Sequence, residues 1–239
     1  GSGASANAMH AAWSSLTYGK IDGKGTLIWG GTDGFCYGYP NKTEKDADGY
    51  DLFMPSWKVD CNEPEYRVDK DGKKVPYATP PGPSELIGTP VLYKEKVYVA
   101  IGQDPEHGDG VGRLSCIDAK NGEVVWKYTD VGRTISTASV HDDLVYIAEY
   151  AGLIHCLDAI TGKLYWTYDS FSRIWGSTLV AGGKVLLGNE DGDLLVLDHG
   201  KDKPKVESIN MGAPVYSSPV YVNGTLYVAT QTHLYAIGE

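Results

Sequence analysis

The loop QDPEHGDG at residues 103–110 concentrates three carboxylates and one histidine among glycines. Its candidate metal ligands are Asp104, Glu106, His107 and Asp109. Oxygen-rich loops of this kind hold calcium in many proteins, although the twelve-residue spacing of an EF-hand is absent here. Functional residues also favour loops that a rigid scaffold carries. The sequence leaves three interpretations open: a calcium site, a loop that contacts a ligand or partner, and a solvated, turn-rich insertion.

A second set of polar and aromatic residues recurs at equivalent places in a repeated unit, which is described below. The set consists of His10, Trp13, Arg133, Glu149, Trp175, Glu190 and Tyr216. An arginine beside aromatic rings suits an anionic or planar ligand, so these residues are candidates for a ligand site at the mouth of a central channel. The alternative is that the rings pack between units while Arg133 pairs with one of the two glutamates.

The four cysteines, Cys36, Cys61, Cys116 and Cys156, are scattered along the chain. The last two hold the same place in neighbouring units, which is typical of small buried residues in strands. No CxxC-like spacing indicates a metal site, whereas a disulfide between Cys36 and Cys61 is an open alternative. The chain contains no G-x-S-x-G, HExxH or phosphate-binding glycine loop, so no catalytic residues are predicted.

The elements that must position these residues form a repeat of about forty residues. Residues 116–126 read CIDAKNGEVVW, and residues 156–166 read CLDAITGKLYW. Each copy is an alternating strand, an Asp-Ala turn with a glycine, and a second strand that ends on a tryptophan. A repeated unit of this length, rich in tight turns and short strands, predicts the blades of a β-propeller. We expect Trp57, Trp126 and Trp166 to be the structural docking residues of their blades.

The pattern predicts an all-β fold of four-stranded antiparallel blades in a single domain, residues 1–239. Five blades are expected, at approximately 10–61, 87–130, 135–170, 175–210 and 215–239, and the fifth lacks its fourth strand. The polar stretch 41–51 separates two strands of the first blade, and an insertion at 62–86 bridges the first two blades. Both polar stretches are either surface excursions or docking elements for other blades or a partner.

Composition excludes several classes of partner. The chain has 239 residues, 42% of them hydrophobic, which suits a continuous core between blades. Its formal net charge is −10, and no cluster of lysine and arginine is present, so nucleic acid is not an expected partner. No apolar run has the length of a transmembrane helix.

The two near-identical segments, CIDAKNGEVVW and CLDAITGKLYW, resemble the repeat of quinoprotein-like propellers, the relatives of pyrroloquinoline quinone (PQQ) alcohol dehydrogenases. Three longer segments, at 102–112, 132–163 and 174–193, look most similar to PQQ-binding-like repeat proteins of planctomycete-type bacteria. The resemblance implies export from the cytoplasm and a ring of seven or eight blades, of which this chain is the C-terminal portion. It also implies that each motif tryptophan docks onto the next blade.

The resemblance also shows which cofactor residues are missing. PQQ dehydrogenases stack the quinone on a disulfide between adjacent cysteines and surround a calcium ion with Glu, Asn and Asp. No two cysteines are adjacent here, and no such calcium set is matched residue by residue. No cofactor is therefore expected, and PQQ and calcium lack the expected ligands.

The leading prediction is a non-enzymatic, extracytoplasmic scaffold that binds protein or saccharide partners, including another chain that supplies further blades. The alternative is a PQQ- and calcium-dependent oxidoreductase whose cofactor site is completed by blades outside this chain. Fold alone does not separate the two, because function depends on sites that are grafted onto folds.

Overall fold

A computed structural model of the chain describes residues 8–77, 79, 81–108 and 110–238. The fold is all-β: twenty-one strands alternate with tight turns, and the only helical elements described are α1 (Pro64–Arg67) and a 3₁₀ turn at Pro105–His107. By its internal contacts the chain divides into two compact units, Gly1–Arg133 and Thr134–Glu239. We describe each unit by itself.

The first unit contains two four-stranded antiparallel sheets, in the orders β1-β2-β3-β6 and β7-β8-β9-β10, and a small hairpin, β4-β5. Its strands are β1 (Thr17–Ile21), β2 (Lys24–Gly30), β3 (Phe35–Pro40), β4 (Glu44–Lys45), β5 (Asp51–Leu52), β6 (Trp57–Asp60), β7 (Val91–Tyr93), β8 (Lys96–Ile101), β9 (Arg113–Asp118) and β10 (Val124–Tyr128). Each sheet follows chain order, as expected for strands joined by short turns.

The second unit contains two further four-stranded sheets, β11 to β14 and β15 to β18, and a three-stranded sheet, β19 to β21. Its strands are β11 (Ser139–His141), β12 (Leu144–Ala148), β13 (Leu153–Asp158), β14 (Leu164–Asp169), β15 (Leu179–Ala181), β16 (Lys184–Gly188), β17 (Asp193–Asp198), β18 (Val206–Asn210), β19 (Val220–Val222), β20 (Thr225–Ala229) and β21 (Leu234–Ile237).

Two-residue turns connect the first two strands of each sheet in the second unit. Asp142 and Asp143 have φ of 48° and 59°, Gly182 and Gly183 have 57° and 71°, and Asn223-Gly224 is also positive at both positions. Such turns match the right-handed twist of the flanking strands and require left-handed backbone, which Gly, Asn and Asp tolerate best. These turn residues therefore fix the register of the hairpins that they close.

Alternating side chains from facing sheets form the cores. In the first unit, Ile28, Cys36 and Val59 of the first sheet pack with Val97 and Ile101 of the second. In the second unit, one cluster joins the third and fourth sheets, and another joins the fourth and fifth. Within each unit the sheets bury faces against one another and so stabilise one another by stacking.

The ends of the insertion at 62–86 are anchored by buried polar side chains. Asn62 bonds the backbone of Ser84 through both ends of its amide, at 2.8 and 2.7 Å. Glu63 lies 3.2 Å from Nη1 of Arg113 and accepts from Nζ of Lys127 at 2.6 Å. Because Arg113 and Lys127 belong to the second sheet, these ends are docked on it, and are not surface excursions.

Candidate functional site

Three separate segments of the first unit converge around the loop that begins at Gln103. Glu85 and Gly102 pair as an isolated antiparallel bridge, with both backbone N–H groups donating, at 2.9 and 2.8 Å. The N-terminal segment is held by the backbone N–H of Met9, which donates to the carbonyl of Thr32 at 3.1 Å. These contacts bring His10, Glu85 and the loop into one place.

His10, Asp104 and His107 form the centre of this site. Oδ2 of Asp104 lies 3.6 Å from Nε2 of His10 and 3.4 Å from Nδ1 of His107. The two imidazole rings meet edge to face, with centroids 4.6 Å apart. The three potential ligand atoms all lie within 4.8 Å of one another, so the group has the dimensions of a metal site.

A buried carboxylate, Glu85, lies beside this group. It is 1% exposed, its Oε1 lies 3.7 Å from Nδ1 of His10, and the same oxygen accepts from the hydroxyl of Tyr77 at 2.9 Å. Burial raises the pKa of Glu85 to about 7; the hydrogen bond from Tyr77 opposes the rise, and the charge of Asp104 adds to it. Its Oε2 has no hydrogen-bond partner among the described residues.

Only two of the four metal ligands that the sequence suggested lie in this cluster. Asp104 and His107 are in the cluster, whereas Glu106 is exposed and its backbone N–H donates to Oδ1 of Asp104. Asp109 lies outside the described residues. His10, which was predicted to belong to a channel-mouth set, lies beside Asp104 and His107 of the loop. Neither Glu85 nor Tyr77 carried a sequence signal, because both lie in an insertion without a pattern.

A cleft of about 640 Å³ adjoins the site. Tyr77 forms part of its wall, together with Asp33, Phe35, Arg67 and Lys74. The guanidinium of Arg67 is fixed by Asp60 at 2.7 Å and lies over the Phe35 ring at 5.0 Å. The cleft therefore combines an aromatic wall with charged side chains of both signs, among them the ion pair of Arg67 and Asp60.

Trp13 and Arg133, the other two residues of the first unit that were predicted to bind a ligand, lie near the same loop. Trp13 is 57% exposed, and its ring stacks on that of His10 with centroids 6.3 Å apart. Arg133 donates from Nη1 to the carbonyl of Gly108. Both residues thus support the segments that carry His10 and the loop.

In the second unit, three of the four residues predicted at the channel mouth contact one another: Trp175, Glu190 and Tyr216. Trp175 meets Tyr216 edge to face at 5.6 Å, and the Tyr216 hydroxyl donates to Oε1 of Glu190 at 3.4 Å. The indole N–H of Trp175 is buried and has no hydrogen-bond partner among the described residues. Glu149 is buried and lies 2.8 Å from Nε2 of His155.

A second group in the second unit consists of His141 and Asp142, on the β11–β12 hairpin, and His199, which follows β17. Nε2 of His141 and Nε2 of His199 both lie 3.5 Å from Oδ2 of Asp142. The Asp142 side chain is 73% exposed. Nδ1 of His199 is 2.8 Å from the hydroxyl of Tyr146. The sequence did not indicate this group, because the two histidines come from different sheets.

The motif tryptophans occupy different environments. The indole N–H of Trp57 donates at 2.9 Å to the carbonyl of Ala119, in the turn that follows β9 of the second sheet, and that of Trp166 donates to the carbonyl of Gly200 at 3.0 Å. Trp57 and Trp166 are 8% and 6% exposed. Trp126 is half-buried, and its ring lies 5.9 Å from that of Tyr98.

All four cysteines are free and buried. The disulfide between Cys36 and Cys61 that the sequence left open is therefore absent from this structure. Burial raises the pKa of Cys61 to about 12, while the charge of Arg113 opposes that rise. A thiol with so high a pKa is protonated at neutral pH and is a poor nucleophile.

Residues 110–238, more than half of the chain, match the family model described as outer membrane protein assembly factor BamB, a family of PQQ-type repeats. The chain belongs to this family. The resemblance to PQQ-type repeats that the sequence indicated is confirmed at the level of the family. No curated protein matches the chain.

Solved structures support the same fold for this BamB-family chain. BamB from Moraxella catarrhalis is similar with a TM-score of 0.67 and 15% identity, over 94% of this chain and 58% of that one. A chain of the mitotic checkpoint complex gives 0.64 and 12%, over 94% and 61%. The computationally designed Ika8 protein gives 0.58 and 12%, over 94% and 59%. At such identities the likeness shows the fold alone, and it confirms the predicted β-propeller architecture.

The chain spans less than two thirds of the length of each of these structures. Among the described residues, no helix has the length and apolar character needed to cross a membrane.

Proposed function

We propose that this chain is a non-enzymatic binding or assembly scaffold that works outside the cytoplasm and takes a polypeptide as its partner. Its family, whose model is described as an outer membrane assembly factor, supports both the role and the location. The observation that carries the proposal is the outer surface of the three-stranded sheet β19 to β21.

One face of this sheet is apolar and exposed. Val220 pairs with Tyr227, and Val222 and Leu234 lie on the same face by register; these four side chains are exposed by 54%, 36%, 46% and 70%. The opposite face packs on the fourth sheet through the fully buried Val228. A contiguous apolar patch of this kind is typical of an interaction surface.

The same sheet also offers backbone hydrogen bonds. β21 pairs with β20, and no other described strand pairs with it. An edge on which no described strand pairs, beside an apolar face, suits an added polypeptide strand from elsewhere in the whole protein or from another chain, because main-chain hydrogen bonds supply affinity and the face supplies specificity. This geometry favours a polypeptide over the saccharide that the sequence left open.

Photo-crosslinking tests this surface. A benzoylphenylalanine residue at Ala236, on the apolar face, is expected to give a discrete protein adduct in the native host, and the same residue at the exposed Glu207 of β18 is not. Val222→Asp in the Ala236 variant should abolish the adduct, because it places a charge on the contact face. An adduct that persists in the Val222→Asp variant, or equal adducts from both positions, would refute the proposal that this face binds a polypeptide.

The oxidoreductase alternative is tested on the purified chain. With PQQ and calcium added, dye-linked oxidation of primary alcohols should not exceed that of the chain without PQQ. Turnover that depends on both additions would contradict the non-enzymatic assignment. The narrower likeness to planctomycete-type proteins remains a prediction, which the gene context of the chain tests.

A further inference from the structure

We propose that His10, Asp104 and His107 bind a divalent transition metal of the zinc class, and that Glu85 orients His10 from behind. The site goes beyond the scaffold role, and all of its residues lie in the first unit. It is built from three segments that the fold brings together, so a bound ion would tie the N-terminal segment to the loop.

The separations of the potential ligand atoms fit such an ion. Zinc binds histidine nitrogen at about 2.0–2.1 Å and carboxylate oxygen at about 2.0–2.2 Å, which places neighbouring ligands of a tetrahedral site about 3.4 Å apart. Oδ2 of Asp104 lies 3.4 Å from one imidazole nitrogen and 3.6 Å from the other. Small side-chain rotations would complete the coordination.

The donor chemistry selects the class of metal. Two imidazole nitrogens and one carboxylate oxygen suit zinc, copper, iron or nickel. Calcium takes six to eight oxygen ligands, and the loop directs only one carboxylate at the two histidines. The nitrogen-rich cluster therefore favours a transition metal over the calcium that the loop composition suggested.

The ligands are held in place before any ion arrives. Oδ1 of Asp104 accepts from the backbone N–H of Glu106 at 2.9 Å, which leaves Oδ2 directed at the histidines. The side-chain amide of Gln103 donates to the carbonyl of His107. The ring of Tyr77 lies 5.9 Å from both imidazole rings. Fixed ligands lose little freedom on binding, which favours affinity.

Glu85 supplies the second, independent observation. In this structure Nδ1 of His10 accepts from the indole N–H of Trp13 at 3.4 Å and lies 3.7 Å from Oε1 of Glu85. A metal on Nε2 would put the ring proton on Nδ1, which would then donate to Glu85 in place of accepting from Trp13. That carboxylate is 1% exposed, and its Oε2 has no partner among the residues described. Histidine ligands of metals almost always donate their other N–H to such a carboxylate, and a small rotation of the His10 ring would bring its Nδ1 within hydrogen-bond distance of this buried acceptor.

The experiment is zinc titration of the untagged, chelator-treated chain by calorimetry, with cobalt absorbance as a report on coordination. Wild type is expected to bind zinc, and His107→Ala, His10→Ala and Asp104→Asn should each weaken binding at least 10-fold. Glu85→Gln should weaken it about 10-fold to 100-fold, as for other outer-shell partners. His107 is exposed, so its variant keeps the fold, which circular dichroism verifies.

Matched controls distinguish zinc binding at this site from zinc binding by other side chains on the surface. Glu106→Gln changes a carboxylate of the same loop outside the cluster and should leave zinc affinity unchanged. His199→Ala removes the second histidine group and should also leave the binding intact. Absence of zinc binding, loss of binding in His199→Ala alone, or unchanged affinity in His107→Ala would each overturn the proposal.

Discussion

Single tryptophans join neighbouring sheets in this protein. The ring of Trp57 packs against Gly38 and Gly122, where an added Cβ would lie 2.1 Å from Cε2 and 3.0 Å from Cδ2 of the ring. Its N–H also bonds the carbonyl of Ala119, in the turn that follows β9 of the second sheet. A glycine on each side therefore lets the indole ring lie flat between two sheets.

Replacing Trp57 or Trp166 by alanine should lower the free energy of unfolding by about 3–5 kcal/mol, because each change empties a buried site and breaks a hydrogen bond. Trp126→Ala should cost less, about 1–3 kcal/mol, since part of that ring is already in water. Urea titration measures all three, with the exposed Trp13→Ala as control. Losses below about 1 kcal/mol for Trp57 and Trp166 would show that these rings do not dock the sheets.

Glu63 gives the stability a pH dependence. The hydrogen bond from Lys127, reinforced by Arg113, holds the pKa of Glu63 below its usual value, against the opposing effect of burial. A lowered pKa in the folded state stabilises the protein above the unfolded carboxyl pKa of about 4.3, and this stability is lost as the pH falls through the folded pKa.

Glu63→Gln should therefore flatten the fall in unfolding free energy below about pH 4.3. The measurement is a series of urea titrations from pH 7 to pH 3. Glu65→Gln, which changes an exposed carboxyl in α1, is the matched control and should keep the wild-type slope. Equal slopes for Glu63→Gln and wild type would show that this carboxyl does not couple to folding.

At the scale of elements, the edge strand β21 is the feature with the clearest consequence. An uncovered edge is an aggregation liability, so we expect other residues of the whole protein or another chain to cover it in the intact assembly. Amides of Leu226–Ala229 and Leu234–Ile237 should then exchange slowly with solvent. In the isolated chain, β20 should stay protected while the outward amides of β21 exchange rapidly.

Hydrogen-exchange mass spectrometry of the chain alone and in its assembly makes this comparison. Protection of β21 that increases in the assembly, with β20 unchanged, is the expected result. Rapid exchange along both strands in the assembly would contradict the covered edge. Leu234→Lys should reduce self-association of the isolated chain while changing the free energy of unfolding by less than about 0.5 kcal/mol.

At the scale of the whole molecule, composition restricts the partners. A formal net charge of −10 repels polyanions. The chain should therefore show no measurable affinity for double-stranded DNA at about 0.15 M salt. Fluorescence anisotropy with a labelled duplex checks this, and salt-dependent binding in the micromolar range would contradict it.

The repeat and the turn residues were predictable from the sequence because they are local. Alternating apolar residues specify strands, and pairs such as Gly182-Gly183 and Asn223-Gly224 supply the positive φ that two-residue hairpins need. The two copies of the Asp-Ala turn with its tryptophan indicated the forty-residue repeat. These patterns act over a few residues, so no long-range information is required to read them.

The candidate site was only half predictable, and the tertiary structure decided the rest. The sequence placed Asp104 and His107 in one loop, but it could not bring His10 to them or place Glu85 behind His10. Those contacts depend on how an unpatterned insertion docks, through the bridge to Gly102 and the bonds of Asn62. Local periodicity determines which residues form strands, whereas docking of irregular segments depends on packing between residues far apart in the chain.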